Sequence, residues 1–475
     1  MLMVILLIIV AISIVTVGIF VIESIREKEP RAPKIGLAGI ILLLVLALVI
    51  LFVPLIRLPI AIVIGLCILF GLIMLIPIKP KKNIEKGAMR HVKGEVEIYD
   101  ERDQCFARDG LGANEEAYKQ YYSTHPEKEE KDAAIRVEGG FWTRMGAVDN
   151  LYKPNVAMEF AQAMIPNRLA NYGKPNPKEE FWLPWLNPDK SPESDPDKID
   201  EVKATRIIKG FANQLGACLV GVCKTNQKWK YSHRGEIMRE NWEDYGKGIP
   251  EQLPYTVVIA TEMDHEFIAT TPHTPASVEV WRNYAMGSFI TTALANWFAA
   301  MGYKAVAQHE ETFEMLAVPL AIDAGLGELG RMGYVITEKY GPRVRLAYVT
   351  TDMPLVPDKP VDLGVEEFCE GCLKCAHSCP GRAVTMEEKT IVNGIERWKV
   401  DGYRCFKFWI NNGGDCAICM GVCPFNRPNS TVHKRVRWML RNSLIARKLF
   451  PPIDNFIYGK KWKVKKGPAW LDYGS

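Results

Sequence analysis

Three long apolar runs open the chain, and no comparable run follows them. Residues 2–22 (LMVILLIIVAISIVTVGIFVI), 37–56 and 59–78 carry no charge, and each has the roughly 20-residue length that crosses the hydrocarbon core of a bilayer. The pattern predicts three transmembrane helices over residues 1–78. A cleaved export signal would compete for the first run only. That run lacks a basic stretch before it and has two further spans behind it, and no twin-arginine pair precedes it.

Beyond the third run the pattern breaks up. Residues 79–200 read as a basic juxtamembrane segment followed by short amphipathic stretches. They end in LNPDKSPESDPDKID, whose Pro, Asp and Ser density predicts an exposed linker. From 201 the periodicity sharpens. IDEVKATRIIKGFANQLGA has helical spacing and stops at Gly216, CLVGVC and YTVVIATEM read as buried strands, VWRNYAMGSFITTALANWFAAMG as a long helix stopped by Gly302, and YKAVAQ as a third strand. This mixture predicts a layered α/β or α+β core over 201–360. A cysteine-rich segment over 361–430 and a C-terminal tail over 431–475, packing on the core, complete the expected order.

Basic residues give the apolar runs a direction. Arg26, Lys28, Arg31 and Lys34 lie between the first and second, Arg57 alone between the second and third, and Lys79, Lys81, Lys82, Lys86, Arg90 and Lys93 after the third. Cytoplasmic flanks carry the excess of Lys and Arg. The expectation is therefore a multi-pass protein of the cytoplasmic (inner) membrane, with its N-terminus outside and its body facing the cytoplasm. Overall, 59 basic and 55 acidic residues leave only +4, which removes nucleic acid from the expected partners and leaves the lipid bilayer.

Eight of the twelve cysteines fall between 369 and 423, a clustering that points to metal ligation rather than a disulfide framework. Cys67, Cys218 and Cys223 read as buried, inert thiols. Cys369, Cys372, Cys375 and Cys379, followed by Pro380, spell C-x2-C-x2-C-x3-C-P, the bacterial ferredoxin run in which the fourth cysteine serves the other of two clusters. Cys405, Cys416, Cys419 and Cys423, followed by Pro424, repeat its end, with the first cysteine displaced upstream by the insertion FKFWINNGGD. The spacing assigns Cys369, Cys372, Cys375 and Cys423 to one 4Fe-4S cluster and Cys379, Cys405, Cys416 and Cys419 to a second. Paired zinc sites are the competing reading; the proline after each last cysteine argues against them.

Three other features carry candidate chemistry. Gly325, Gly327 and Gly330 match G-x-G-x-x-G, but Gly333 and the strand-like YVIT follow at once, so a tight helix-to-strand connection is expected rather than a dinucleotide turn. His309 follows a strand in AVAQHEETFE and is a candidate cofactor contact, although a lone histidine is more often structural. Tyr231, in NQKWKYSHRG after the CLVGVC strand, sits where α/β domains place chemistry. An ordinary phenol ionises near pH 10, so it donates a proton only where its phenolate is stabilised.

Over residues 95–430 the chain resembles the corrinoid-dependent reductive dehalogenases. The matching segments are DERDQCFARDG with YKQYYSTHPE, GACLVGVC leading to WKYS, and the long AIDAGLGELGRMGYVITEKYGPRVRLAYVTTDMPLVPDKPVDLGVEEFCEGCLKCAHSCPGRAV. The epoxyqueuosine reductases are similar, but a Trp and a Lys-Asn are expected in them around the glycine turn, where this chain has Glu328 and Arg331-Met332. The resemblance implies a nitroreductase-like α/β (α+β) core holding a corrinoid (cobalamin-type), beside a ferredoxin-like unit with two 4Fe-4S clusters. It further implies an organohalide substrate, an electron donor that is a quinol or a reduced ferredoxin, and a catalytic Tyr231 as proton donor.

Two departures bear on the site. The family's Lys or Arg two places after a tyrosine of the long helix is Met286 here, after Tyr284, leaving Arg282 or Lys304 as substitutes. His309-Glu310 stands where many members have Asn-Asp. These departures motivate an alternative, a corrinoid and iron–sulfur reductase of a non-halogenated substrate such as an epoxide. A membrane-tethered ferredoxin is a third reading, and it leaves the patterned 201–360 core without a purpose.

Overall fold

The computed structural model describes residues 1–77, 79, 82–137, 153–175, 196–235, 242–310 and 312–471. Residues 186–195 of the expected linker lie outside the described residues. In chain order the helices used below are α1 (Leu2–Arg26), α2 (Ala32–Phe52), α3 (Arg57–Met74), α4 (Glu201–Gln214) and α5 (Thr274–Ala300). They continue with α6 (Ala317–Asp323), α7 (Val365–Cys372), α8 (Gly402–Asn412), α9 (Thr431–Asn442) and α10 (Leu444–Tyr458). The strands are β1 (Leu219–Lys224), β2 (Tyr255–Glu262), β3 (Ala305–Gln308), β4 (Glu328–Leu329), β5 (Val335–Ile336), β6 (Val344–Thr351), β7 (Thr390–Val392) and β8 (Ile395–Arg397).

The chain divides into two units. One comprises residues 1–82, 363–374 and 427–462. Its first three helices are long and apolar enough to cross a membrane, and they associate the protein with one. A small core of Leu6, Val10 and Ile50 joins them. Close approach needs a small residue: a Cβ on Gly36 would stand 2.4 Å from a methyl of Val21. Arg57, the lone charge of the second loop, donates to the carbonyls of Ile50 (2.8 Å) and Leu51 (2.9 Å) and so satisfies the end of α2. Most other apolar side chains of these helices point outward, as they do where lipid is the solvent. Cys67 is among them: it is exposed on α3, which corrects the expectation of a buried thiol.

The same unit contains α7, α9 and α10. Ser430 and Ser443 cap α9 and α10, accepting from the backbone N–H of His433 and Ala446. Residues 427–462 belong with the apolar helices, and 463 onward belongs with the second unit.

The second unit comprises residues 83–362, 375–426 and 463–475. Its centre is a four-stranded sheet in the order β1-β2-β6-β3, antiparallel throughout. Alternate side chains face opposite layers. On one face Val257, Ile259, Ala347 and Val349 pack against Ile208 of α4 and Ile290, Leu294 and Phe298 of α5. On the other, Val258, Ala260 and Tyr348 meet Leu320 and Ile322 of α6 and Trp229. Antiparallel pairing makes this an α+β layer rather than a parallel α/β one. The glycine motif forms the expected connection: Gly325, at φ +75°, ends α6, its N–H bonding Ile322 O while the Leu326 N–H bonds Ala321 O. The β4–β5 hairpin follows.

Gly341, at φ +58°, joins this hairpin to β6, and a Cβ there would lie 2.3 Å from the carbonyl oxygen of Phe425, two residues after Cys423. Gly341→Ala is expected to cost about 3 kcal/mol through backbone strain and displacement of that segment. The drop should appear in the midpoint of thermal unfolding; an unchanged midpoint would show that the contact yields easily.

Candidate functional site

The two cysteine segments share a backbone device that periodicity does not reveal. Leu373 follows Cys372, Ala417 follows Cys416 at the equivalent place, and both are left-handed, with φ of +55° and +49°. Such a conformation is costly for a residue with a side chain. In both turns it brings the next backbone N–H, that of Lys374 or Ile418, onto the cysteine sulfur as a hydrogen-bond donor. The N–H of Ala383 likewise reaches Cys379 Sγ at 3.2 Å. N–H groups aimed at sulfur suit thiolates bound to iron, whose potential they help set.

Cys379, Cys405, Cys416 and Cys419 lie close enough together in the second unit to interact electrostatically. Burial, then the neighbouring thiols, pushes Cys405 and Cys416 up to about 12 and raises Cys419 as well. Four such sulfurs ionise together only when a cation compensates them, as the iron of a cluster does. Among the described residues no three His, Cys, Asp or Glu close to single-ion spacing. Cys375 and Cys423 belong to this unit as well, Cys369 and Cys372 to the first. Away from the motif, Cys223 is buried with Leu320 O at 3.8 Å from its sulfur, and burial pushes Cys218 up to about 12.

Tyr231 lies on the wall of a cavity of about 520 Å³ in the second unit. It is 8 % exposed, its backbone N–H bonds Glu314 O at 2.9 Å, and its hydroxyl accepts from Gln104 Nε2 at 3.0 Å. Trp229, Leu316, Val318 and Trp398 contribute apolar walls, and Gly330 and Gly333 expose backbone. Gly402, three residues before Cys405, also lines it. Gln104 was not singled out in the sequence, because nothing in the spacing of DERDQCFARDG marks it as Tyr231's partner.

Glu314 anchors the segment behind Tyr231. Its buried carboxylate accepts from Lys174 (2.9 Å), Arg234 (2.8 Å) and Gln252 (2.7 Å). Burial opposes ionisation, but these donors hold its pKa below the ordinary 4.5. A carboxylate with a depressed native pKa stabilises the fold above its unfolded value and ceases to do so as pH falls through the native one. Glu314→Gln is therefore expected to cost about 3 kcal/mol at pH 7, with the gap from wild type narrowing below about pH 4.5. Unfolding midpoints measured against pH test this; a constant gap would contradict it.

His309 is buried at the end of β3, its backbone N–H bonded to Thr312 Oγ1 at 3.0 Å, and it does not line the Tyr231 cavity. Arg282 is held by Glu279 at 2.6 Å and 2.8 Å. Lys304 immediately precedes β3, its backbone N–H bonded to Asp352. Met286 faces Gly216, its methyl 3.3 Å from where a Cβ there would stand. The cation beside Tyr284 is instead Arg345 of β6, 5.0 Å from the ring centroid. Burial disfavours its charge, but Tyr284, Asp415, Tyr334 and Glu310 hold its pKa above the ordinary arginine value.

A family model described as a 4Fe-4S dicluster domain matches residues 368–427. The tetrachloroethene reductive dehalogenase of Sulfurospirillum multivorans is 33 % identical over 363 residues, covering 70 % of this chain and 69 % of that one. A solved catabolic reductive dehalogenase superposes with a TM-score of 0.62 at 24 % identity, over 82 % of this chain and 50 % of its own. A second solved reductive dehalogenase, whose published description concerns B12-dependent dehalogenation, gives 0.52 at 28 % identity over 58 % of this chain and 39 % of its own. The chain thus spans about half the length of the first of these structures, and less of the second.

Proposed function

This chain belongs to the reductive dehalogenases, and from that membership we propose that it releases halide from an organohalide by R–X + 2e⁻ + H⁺ → R–H + X⁻. The observation that carries the proposal is the Tyr231 hydroxyl, tied to Gln104, on a cavity wall shared with the residue three before Cys405.

Family membership gives the chain two 4Fe-4S clusters and a corrinoid. The cavity lining fits the corrinoid: broad aromatic and apolar walls, with polar side chains such as Gln104, Asn393 and Arg397 for ring amides. When bound, it supplies the reduced cobalt at which the carbon–halogen bond is broken. Trp229, Leu316, Val318 and Trp398 favour an apolar substrate and exclude water. Tyr231 gives its hydroxyl proton to the carbon that loses halide. The Gln104 N–H, already on that oxygen, stabilises the phenolate left behind.

Cys379, Cys405, Cys416 and Cys419 hold one cluster; Cys369, Cys372, Cys375 and Cys423 hold the other. The antiparallel sheet with α5 is the nitroreductase-like core, and Arg345 takes the place of the positive residue that Met286 does not provide. The N-terminal helices make the protein a multi-pass component of the inner membrane with its body facing the cytoplasm, and a quinol or a reduced ferredoxin supplies electrons. Reduction of a non-halogenated substrate is the second reading, favoured by Met286 turning toward Gly216.

Assays with reduced methyl viologen against a panel of chlorinated and brominated compounds test the proposal. Halide should appear in step with viologen oxidation for at least one compound. Viologen oxidation by an epoxide, with no halide released from any panel member, would overturn it.

A further inference from the structure

Helices α9 and α10 are built inside out for a water-exposed pair. Three of their ionisable groups turn inward: Asp454 accepts from both Lys374 and Arg427, Arg447 bonds Glu367 at 3.1 Å, and His433 pairs with Glu27 at 3.0 Å. Their outward stripes are apolar and cationic. On α9, Lys434, Arg435 and Trp438 share one stripe, with Trp438 52 % exposed. On α10, Lys448, Pro452 and Phe456 recur every four residues beside Ile453, with Ile453 44 % and Phe456 64 % exposed.

We infer that α9 and α10 lie in the headgroup layer of an anionic leaflet, with Trp438, Ile453 and Phe456 dipping toward the acyl chains and the flanking Lys and Arg contacting lipid phosphates. This rests on the proposed spanning role of α1 to α3. Two observations identify the occupant. The first is continuity: Phe20 of α1 packs edge-on against Tyr458 at the end of α10, with centroids 6.3 Å apart, and Glu27, just past the last turn of α1, holds His433 of α9. The helix pair thus sits at the end of a span, where headgroups begin. The second is charge: residues 427–462 contain nine Lys and Arg against the single acid Asp454, which is buried. Arg427 and Arg447 are paired inward, while Lys434, Arg435, Lys448, Lys460 and Lys461 are exposed, and exposed basic residues with Trp and Phe beside them are what an anionic lipid interface recruits.

The test places the photoreactive residue p-benzoylphenylalanine at position 438, 456 or 66 of the full chain, in nanodiscs of phosphatidylglycerol or phosphatidylcholine. Leu66, on the exposed face of α3, reports the span itself. After illumination, mass spectrometry should find lipid adducts at all three positions in phosphatidylglycerol. Yields at 438 and 456 should fall several-fold in phosphatidylcholine or with Lys434→Glu and Arg435→Glu together, while the yield at 66 holds. Adducts at 66 alone, or adducts to a second copy of the chain at 438 and 456, would overturn the inference and leave the spans standing. No adduct at 66 would remove the spans and the inference with them.

Discussion

Tyr231→Phe, in protein that retains its iron and cobalt, should lower turnover of an organohalide by about 100-fold to 10,000-fold, the range over which a positioned general acid contributes. The ring can stay in place: its packing at 6.2 Å from Tyr99 and the backbone bond to Glu314 O do not involve the hydroxyl. What is lost is the proton at the cavity wall. The loss should fall on kcat with little change in KM, because an apolar substrate takes its affinity from Trp229, Leu316, Val318 and Trp398. Gln104→Leu should give a smaller loss in the same parameter, since it removes only the donor that steadies the phenolate. Wild-type kcat in cofactor-replete Tyr231→Phe would remove the residue from its assigned role.

The second large effect is expected at the cluster ligands. Cys419→Ala should lower bound iron from about eight to about four atoms per chain and abolish halide release, because electrons no longer pass through the cluster it helps hold. Cys223→Ala is the matched comparison. It also deletes a buried thiol, but one that points at Leu320 O within an apolar cluster with Trp229 and Val258, so iron content should stay at wild-type level. If both variants keep all their iron, Cys419 is not a ligand; if both lose it, the loss reports folding rather than coordination.

Features with a strong local signature are legible in the sequence alone. Uncharged runs of membrane-crossing length became α1 to α3, the glycines at 216, 302 and 325 ended helices at positive φ, and the cysteine spacing marked the segment that matches a two-cluster domain. Elements defined by long-range pairing are not. β6, central in the sheet between β2 and β3, is the strand VRLAYVTT. Its Arg345 interrupts the apolar pattern, and the same residue then proves to be the cation over Tyr284. Gln104 reaches Tyr231 from 127 residues away, a pairing that no local rule encodes. The contacts of His433 with Glu27, 406 residues away, and of Tyr458 with Phe20 are of the same long-range kind and have no local signature.

Metal analysis of the full chain, purified and kept without oxygen, tests the central claim most directly. About eight iron and one cobalt per chain are expected, from two 4Fe-4S clusters and one corrinoid. Zinc in place of iron, or a full complement of iron with no cobalt, would contradict it.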